Sequence, residues 1–287
     1  MIESISHLNL PEFDLLIPHS LTEALELLEI YQANCKILAG GTDLLIELKQ
    51  RLVQPKILID IKNVPEMKKL EITDEVIIIG AAVPISDILC ISQLKRHFTS
   101  FYQALREMCD EILRQRATVG GNICTASPAA DTAGPLLVHQ ALLEVHSKIN
   151  GKRIIPISDF FTGVKKNCLS LNEMLVSIIL PKQPEEAKSA FKKFKRSAED
   201  LALVGVTGLH SSIKTFLAYT AVAATPVLID ISEFFSDSNK IDEDKFLSIW
   251  KKVKTKISPI SDVRSNKEFR LHITEILSRM ILKEVIL

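Results

Sequence analysis

The stretch Arg116-Ala117-Thr118-Val119-Gly120-Gly121-Asn122-Ile123-Cys124-Thr125-Ala126-Ser127-Pro128-Ala129-Ala130-Asp131 gathers two adjacent glycines, several hydroxyl side chains and one carboxylate. Backbone without side chains can approach a ligand closely, and successive amides in such a loop cradle an anion. The chain has ten glycines, and four of them form two Gly-Gly pairs. The second pair sits in Leu38-Ala39-Gly40-Gly41-Thr42-Asp43-Leu44. That text reads as a strand, a tight loop and a helix start, which aims helix N-terminal amides at an anion. A single Gly-Gly pair is an ordinary turn. Two pairs in such surroundings predict one ligand held by two loops. Neither loop is G-x-G-x-x-G or G-x-x-x-x-G-K-[ST], so a Rossmann dinucleotide site and a Walker A loop are both disfavoured.

Other reactive residues offer less. Cys35, Cys90, Cys109, Cys124 and Cys168 are odd in number and widely spaced. They form no C-x-x-C cluster, so neither zinc nor an iron–sulfur cluster is expected and no metal ligand is named, and separately no residue is named as a catalytic acid or base. Cys124 lies in the candidate loop but has no basic activator beside it in sequence. The seven histidines do not cluster. Lys188 to Arg196 mixes bases with aromatics, as a nucleic-acid groove can. Lysines and arginines nevertheless balance acids at 35 each, so an exposed strand whose lysine stems cover apolar neighbours is the better reading. No nucleic-acid partner is expected. No apolar run approaches the roughly 18 residues of a membrane span. Met1-Ile2-Glu3-Ser4 does not read as the start of a secretory signal, and unclustered thiols fit a cytoplasmic protein.

The elements that must carry these loops follow from periodicity. Ser20-Leu21-Thr22-Glu23 is a capping box opening a helix with Leu21, Ala24, Leu25, Leu28 and Tyr31 inward. Residues 36–39 and 56–61 read as strands around a helix over 42–50, a small α/β unit with parallel strands. Val76 to Gly80 is a further strand, and residues 86–91 and 100–116 read as helices. Residues 136–145, 153–157 and 174–180 supply further segments. Pro181, Pro184 and Glu185-Glu186 mark a boundary. Beyond it come strands over 189–195 and 202–208 and helices over 244–254 and 266–284. The last helix is predicted to open with the box Ser265-Asn266-Lys267-Glu268 and to bury Phe269, Ile273, Ile276, Leu277, Met280 and Ile281.

Taken together, the two glycine segments, Phe160-Phe161-Thr162-Gly163 and Pro259-Ile260-Ser261-Asp262-Val263-Arg264-Ser265 resemble the FAD-binding medium subunit of the molybdenum hydroxylases. This group contains xanthine dehydrogenase and aerobic carbon monoxide dehydrogenase. The resemblance spans nearly the whole chain and implies an α+β fold in three parts: a small α/β subdomain (1–62), a second α+β subdomain (63–181) and a C-terminal flavoprotein domain with sheet and helices (182–287). FAD would lie between the first two. Its contacts carry over to Ile37, Leu38, Ala39, Gly40, Gly41, Thr42, Asp43 and Leu44, to Thr118, Val119, Gly120, Gly121 and Asn122, and to Asp131, Leu175 and Lys192. Met108 stands where some relatives place an aromatic contact. The segment 210–215 is shorter than the corresponding strand–turn–strand of relatives.

The resemblance further implies an oxidoreductase subunit that takes electrons from an iron–sulfur subunit, works beside a molybdopterin subunit in a dimer of heterotrimers, and passes electrons to NAD or oxygen. A self-contained flavin oxidase or reductase and a nucleotide-binding regulatory module are the alternatives. Within the glycine loops no lysine is available to neutralise a diphosphate, so amides and the hydroxyls of Thr42 and Thr118 are expected to do so. A carboxylate repels phosphate, so Asp131 suits a ribose hydroxyl. Val at Gly120 or Gly121 is expected to block FAD while leaving the fold intact.

Overall fold

A computed structural model describes residues 9–198, 200–236 and 240–286. Its fold is α+β, built around three main sheets. The first is a parallel sheet in the order Asp14–Leu16, Ile57–Asp60, Cys35–Leu38. Helix Leu21–Tyr31 crosses between its strands and buries Ala24, Leu25 and Leu28. Ser20 Oγ accepts the Glu23 amide at 3.1 Å, and the Glu23 carboxylate reaches back to accept the His19 amide, one residue before the cap, at 2.8 Å. Leu21 and Tyr31 are only half-buried.

The second sheet is antiparallel, in the order Leu70–Ile72, Val76–Gly80, Glu173–Pro181, Leu142–Ser147, Gly151–Pro156. Its central strand Glu173–Pro181 is apolar almost throughout, as a strand covered on both faces must be. A bulge between Leu175 and Ser177 leaves the Val176 carbonyl to accept the Ala81 amide at 2.9 Å. The helix expected over 100–116 is broken into Thr99–Glu107 and Glu111–Arg114. Cys109 takes φ 44°, and Asp110 starts the second helix by accepting the Leu113 amide at 2.6 Å. The Arg114 guanidinium then turns back onto the carbonyls of Arg106, Met108 and Cys109. A local cap thus outcompetes continuous helical periodicity. Residues 136–145 likewise divide between helix Ala133–Val138 and strand Leu142–Ser147.

The third sheet is an antiparallel meander of Lys188–Phe194, Val204–His210, Thr215–Thr220 and Val227–Asp230, backed by helices Glu243–Lys254 and Lys267–Ile286. The last helix is capped by Asn266, whose Oδ1 accepts the Phe269 amide at 2.8 Å, and not by Ser265. Its buried face is Arg270, Thr274, Leu277, Ser278, Ile281, Leu282 and Val285. Of the predicted stripe only Leu277 and Ile281 are buried, and Phe269, Ile276 and Met280 are exposed. Polar groups can line this face because each finds a partner. Thr274 and Ser278 donate to carbonyls one turn back at 2.6 Å, and Arg270 Nη1 donates to the Leu203 carbonyl at 2.7 Å. The wholly buried helix Ala133–Val138 packs on this third sheet and ties it to the rest of the chain.

Among the described residues, no helix is long and apolar enough to cross a membrane.

Candidate functional site

The two glycine loops meet. Gly40 follows strand Cys35–Leu38, and a Cβ there would stand 2.0 Å from the Arg116 carbonyl oxygen. Only glycine permits that approach. Gly41 next to it takes φ +77°, which turns the chain into helix Leu44–Lys49. Across the junction the Thr125 hydroxyl donates to the Asp43 carboxylate at 3.0 Å.

The second loop begins helix Val119–Thr125, which packs against strand Glu173–Pro181. Thr118 caps it by accepting the Gly121 amide at 2.9 Å, and keeps its own hydroxyl proton to give. A backbone bridge to Pro84 fixes Thr118 beside the start of helix Ile85–Leu89. The two glycines of this pair differ. A Cβ on Gly120 would lie 2.5 Å from the Ala81 carbonyl oxygen, whereas one on Gly121 would meet only Thr118 Oγ1, at 3.0 Å. Gly120 is therefore needed for packing, and Gly121 is the one whose missing side chain leaves open space. This corrects the expectation that either position could take valine without cost to the fold.

The loops border a cleft of about 300 Å³ whose lining includes Gly40, Lys62, Lys68, Val83, Arg116 and Thr118. Positive charge at the cleft comes from Arg116, which opens the second glycine segment, and from Lys62 and Lys68, on 3-10 turns after strand Ile57–Asp60, with Asp87 the one acid among the described lining residues. Lys62 is shared with Asp60 at 2.7 Å. A wider hollow of about 620 Å³ lies at Gln140, Lys182, Gln183 and Lys214, but no residue of the glycine loops lines it.

Farther along the same loop, Asp131 is largely buried, with its Oδ2 2.8 Å from Lys193 Nζ. Burial pushes its carboxyl above the usual carboxylate range, and Lys193 opposes this. Its Oδ1 is buried with no hydrogen-bond partner. A buried acceptor left empty is costly, and a ligand hydroxyl would satisfy it. Lys193 also donates to the Glu107 carbonyl at 2.7 Å and is 3% exposed.

The structure brings Lys193, not Lys192, to Asp131. Successive residues of strand Lys188–Phe194 point to opposite faces, and Lys192 instead pairs with Glu284 at 2.7 Å on the last helix. With Lys195 paired to Glu107 at 2.8 Å and Arg196 to Asp200 at 2.6 Å, four charges of the basic run 188–196 are engaged within the chain. The remaining resemblance-based residues divide as follows. Ile37 to Leu44 form the end of one strand, its loop and the next helix start, all partly or fully accessible. Val119 is buried, Asn122 half-buried, and Leu175 buried in the core strand beneath the second loop's helix. Met108 is half-buried at the end of helix Thr99–Glu107. The Cys124 thiol is pushed up to about 12 by burial, with Cys168 adding to the effect, and so is inert at neutral pH. Among the described residues no group of three or more His, Cys, Asp or Glu side chains could hold a metal ion.

The donor set suits a dinucleotide with an anionic middle and sugar hydroxyls. Gly40, Thr118 and three basic side chains line the cleft beside Asp87, and an unpaired buried carboxylate oxygen, on Asp131, lies farther along the second segment. Comparisons with known proteins agree. Residues 11–183 match the FAD binding domain in molybdopterin dehydrogenase, and residues 189–285 match the CO dehydrogenase flavoprotein C-terminal domain. The chain is 31% identical over 263 residues to a xanthine dehydrogenase FAD-binding subunit of Escherichia coli O157:H7, covering 88% of this chain and 89% of that one. It is 31% identical over 281 residues to the glyceraldehyde dehydrogenase medium chain of Sulfolobus acidocaldarius, covering 96% and 99%. Among solved structures, a chain of carbon monoxide dehydrogenase from Hydrogenophaga pseudoflava superposes with a TM-score of 0.88 at 25% identity, covering 96% of this chain and 98% of that one. The glycine cradle, the buried acid behind it and both halves of the chain therefore fall in one family: this protein is an FAD-binding subunit of the molybdenum hydroxylases.

Proposed function

We propose that this subunit carries electrons from iron–sulfur clusters on a partner subunit, through FAD, to an acceptor such as NAD or oxygen. A molybdopterin subunit would complete the enzyme, in a dimer of heterotrimers. The observation that carries this reading is the convergence of two glycine loops on one cleft, with Asp131 on the second of them. FAD, when bound, supplies the redox chemistry. The chain's own residues bind and orient it. Amides of the second loop and the Thr118 hydroxyl would meet the diphosphate, with Lys62, Lys68 and Arg116 lowering its charge. Asp131 would accept a sugar hydroxyl, held in place by Lys193. Relatives named xanthine dehydrogenase and carbon monoxide dehydrogenase support the multi-subunit assignment.

Stopped-flow flavin bleaching tests the proposal, with purines, aldehydes and carbon monoxide as candidate substrates. The chain alone should show no substrate-driven reduction. Rapid reduction should appear once the iron–sulfur and molybdenum subunits are added. Fast bleaching of the isolated chain would make it a self-contained oxidase. A colourless protein that cannot be reconstituted would make it a regulatory module.

The position of Lys193 yields a second expectation. Lys193→Met leaves the buried Asp131 without its counter-charge and should weaken FAD by about tenfold or more. Lys192→Met removes only a pair with Glu284 on the far face and should leave affinity within about twofold. Fluorescence titration of the two apoproteins with FAD separates them, and the reverse ranking would restore Lys192 as the contact.

A further inference from the structure

Asn122 directly follows the second glycine pair, inside helix Val119–Thr125, and its carboxamide can face a ligand in either of two ways. Turned one way it offers NH2 donors, and turned the other way it offers an oxygen acceptor. A phosphate oxygen accepts only, so a diphosphate cradle requires the first orientation. Asn122 has no local means of choosing. Its main-chain amide is bound to the Thr118 carbonyl at 3.0 Å, which fixes the backbone but not the side chain.

The choice is made ten residues away. Thr132 is 0% exposed, and its Oγ1 lies 2.5 Å from Asn122 Oδ1. That separation is at the short end for a hydroxyl donating to an oxygen and below the range for an amide N–H donating to a hydroxyl. The hydroxyl therefore holds the carboxamide oxygen, and the Nδ2 group, which has no partner among the described residues, is left for a ligand. Thr132 itself cannot touch the ligand, because it is enclosed at the start of the buried helix Ala133–Val138. Its neighbour Asp131 points to Lys193. The dipeptide Asp131-Thr132 thus braces the ligand loop in two directions.

We infer that Thr132 is a positioning residue that locks the Asn122 carboxamide with its NH2 toward the cofactor, so that the loop selects an acceptor-only group such as a phosphate oxygen. This rests on the FAD reading above. It predicts that Thr132 acts on affinity entirely through Asn122.

The test is a double-mutant cycle on FAD affinity, read by quenching of flavin fluorescence on titration of apoprotein, with thermal unfolding of each apoprotein as a check on folding. Thr132→Val, close in shape but without the hydroxyl, should weaken FAD about five- to tenfold. Thr132→Ser should restore affinity to within about twofold of wild type. Asn122→Ala should weaken FAD by itself, and adding Thr132→Val to it should cost nothing more. Full additivity of the two losses, or failure of serine to rescue a folded protein, would overturn the role assigned to Thr132. If Thr132→Val fails to fold, Thr132→Cys serves in the same cycle, with a thiol too weak as a donor to hold the amide. A wild-type chain that does not bind FAD would instead refute the functional reading on which the inference stands.

Discussion

A Gly121→Val variant should fold as the wild type does and purify without flavin. Its Cβ would meet only the Thr118 hydroxyl oxygen, 3.0 Å away, which can yield by a few tenths of an ångström. Helix propensity favours valine slightly over glycine, so the cost in stability should be small. The methyl groups would nevertheless fill the space through which a diphosphate reaches the first-turn amides, which have no intrahelical partners. Loss of about 3 kcal/mol, roughly a hundredfold in affinity, is expected. Gly120→Val and Gly40→Ala make the contrast. Each would drive a Cβ into a backbone carbonyl, at 2.5 Å from Ala81 and 2.0 Å from Arg116. Overpacking against main chain has no easy relief, so both should lose folded protein along with flavin. Flavin content measured with far-UV circular dichroism distinguishes the two kinds of failure. Wild-type flavin occupancy in folded Gly121→Val would remove the diphosphate from this loop.

That contrast shows what sequence could and could not tell. Glycine is rare here, so two pairs stood out, whereas Asp131 was named only through the family resemblance. The difference between Gly120 and Gly121 was not legible, since it depends on Ala81, some forty residues earlier in the chain. Lys62 and Lys68 were invisible for the same reason: nothing near them suggests a phosphate. That Lys193 is the lysine reaching Asp131 was not legible either, because strand parity decides which face each side chain takes. Periodicity also failed for the last helix. Arg270, Thr274 and Ser278 read as a polar face, yet they point inward, because the fold supplies each with a partner that no local pattern announces. The 210–215 segment was legible only as a short connection; it is the turn of a hairpin between Val204–His210 and Thr215–Thr220, and the second of those strands was not foreseen.

Arg270→Met should destabilise the protein by about 3 kcal/mol and weaken FAD as a secondary effect. Arg270 is 1% exposed. Its Nη1 donates to the carbonyls of Leu203 and Ala221 at 2.7 and 3.3 Å, and its Nη2 to Asp262 at 2.9 Å. Methionine fills the volume but leaves these acceptors unsatisfied. The effect should reach the cofactor because the Ala221 amide, on the other side of the same residue, donates to Pro128 at 2.7 Å, within the second ligand loop. Denaturant unfolding and FAD titration measure the two losses. A stability within about 0.5 kcal/mol of wild type would show that Arg270 is a passenger in the core. The pH dependence gives an independent check. Burial acts to raise the Asp262 carboxyl, but hydrogen bonds from Arg264, Arg270 and the Ser265 amide outweigh it and hold the group well below its ordinary value of 3.8. A carboxyl depressed in the folded state stabilises fully above that ordinary value, and the contribution fades as pH falls toward the folded one. Wild type should therefore lose stability in acid more steeply than Asp262→Asn, which has no carboxyl to protonate there. Arg270→Met should fall between them, because Arg264 still holds the carboxylate at 2.9 Å. Equal acid limbs in all three proteins would mean that Arg264 and Arg270 do not hold Asp262 as a carboxylate in the folded chain.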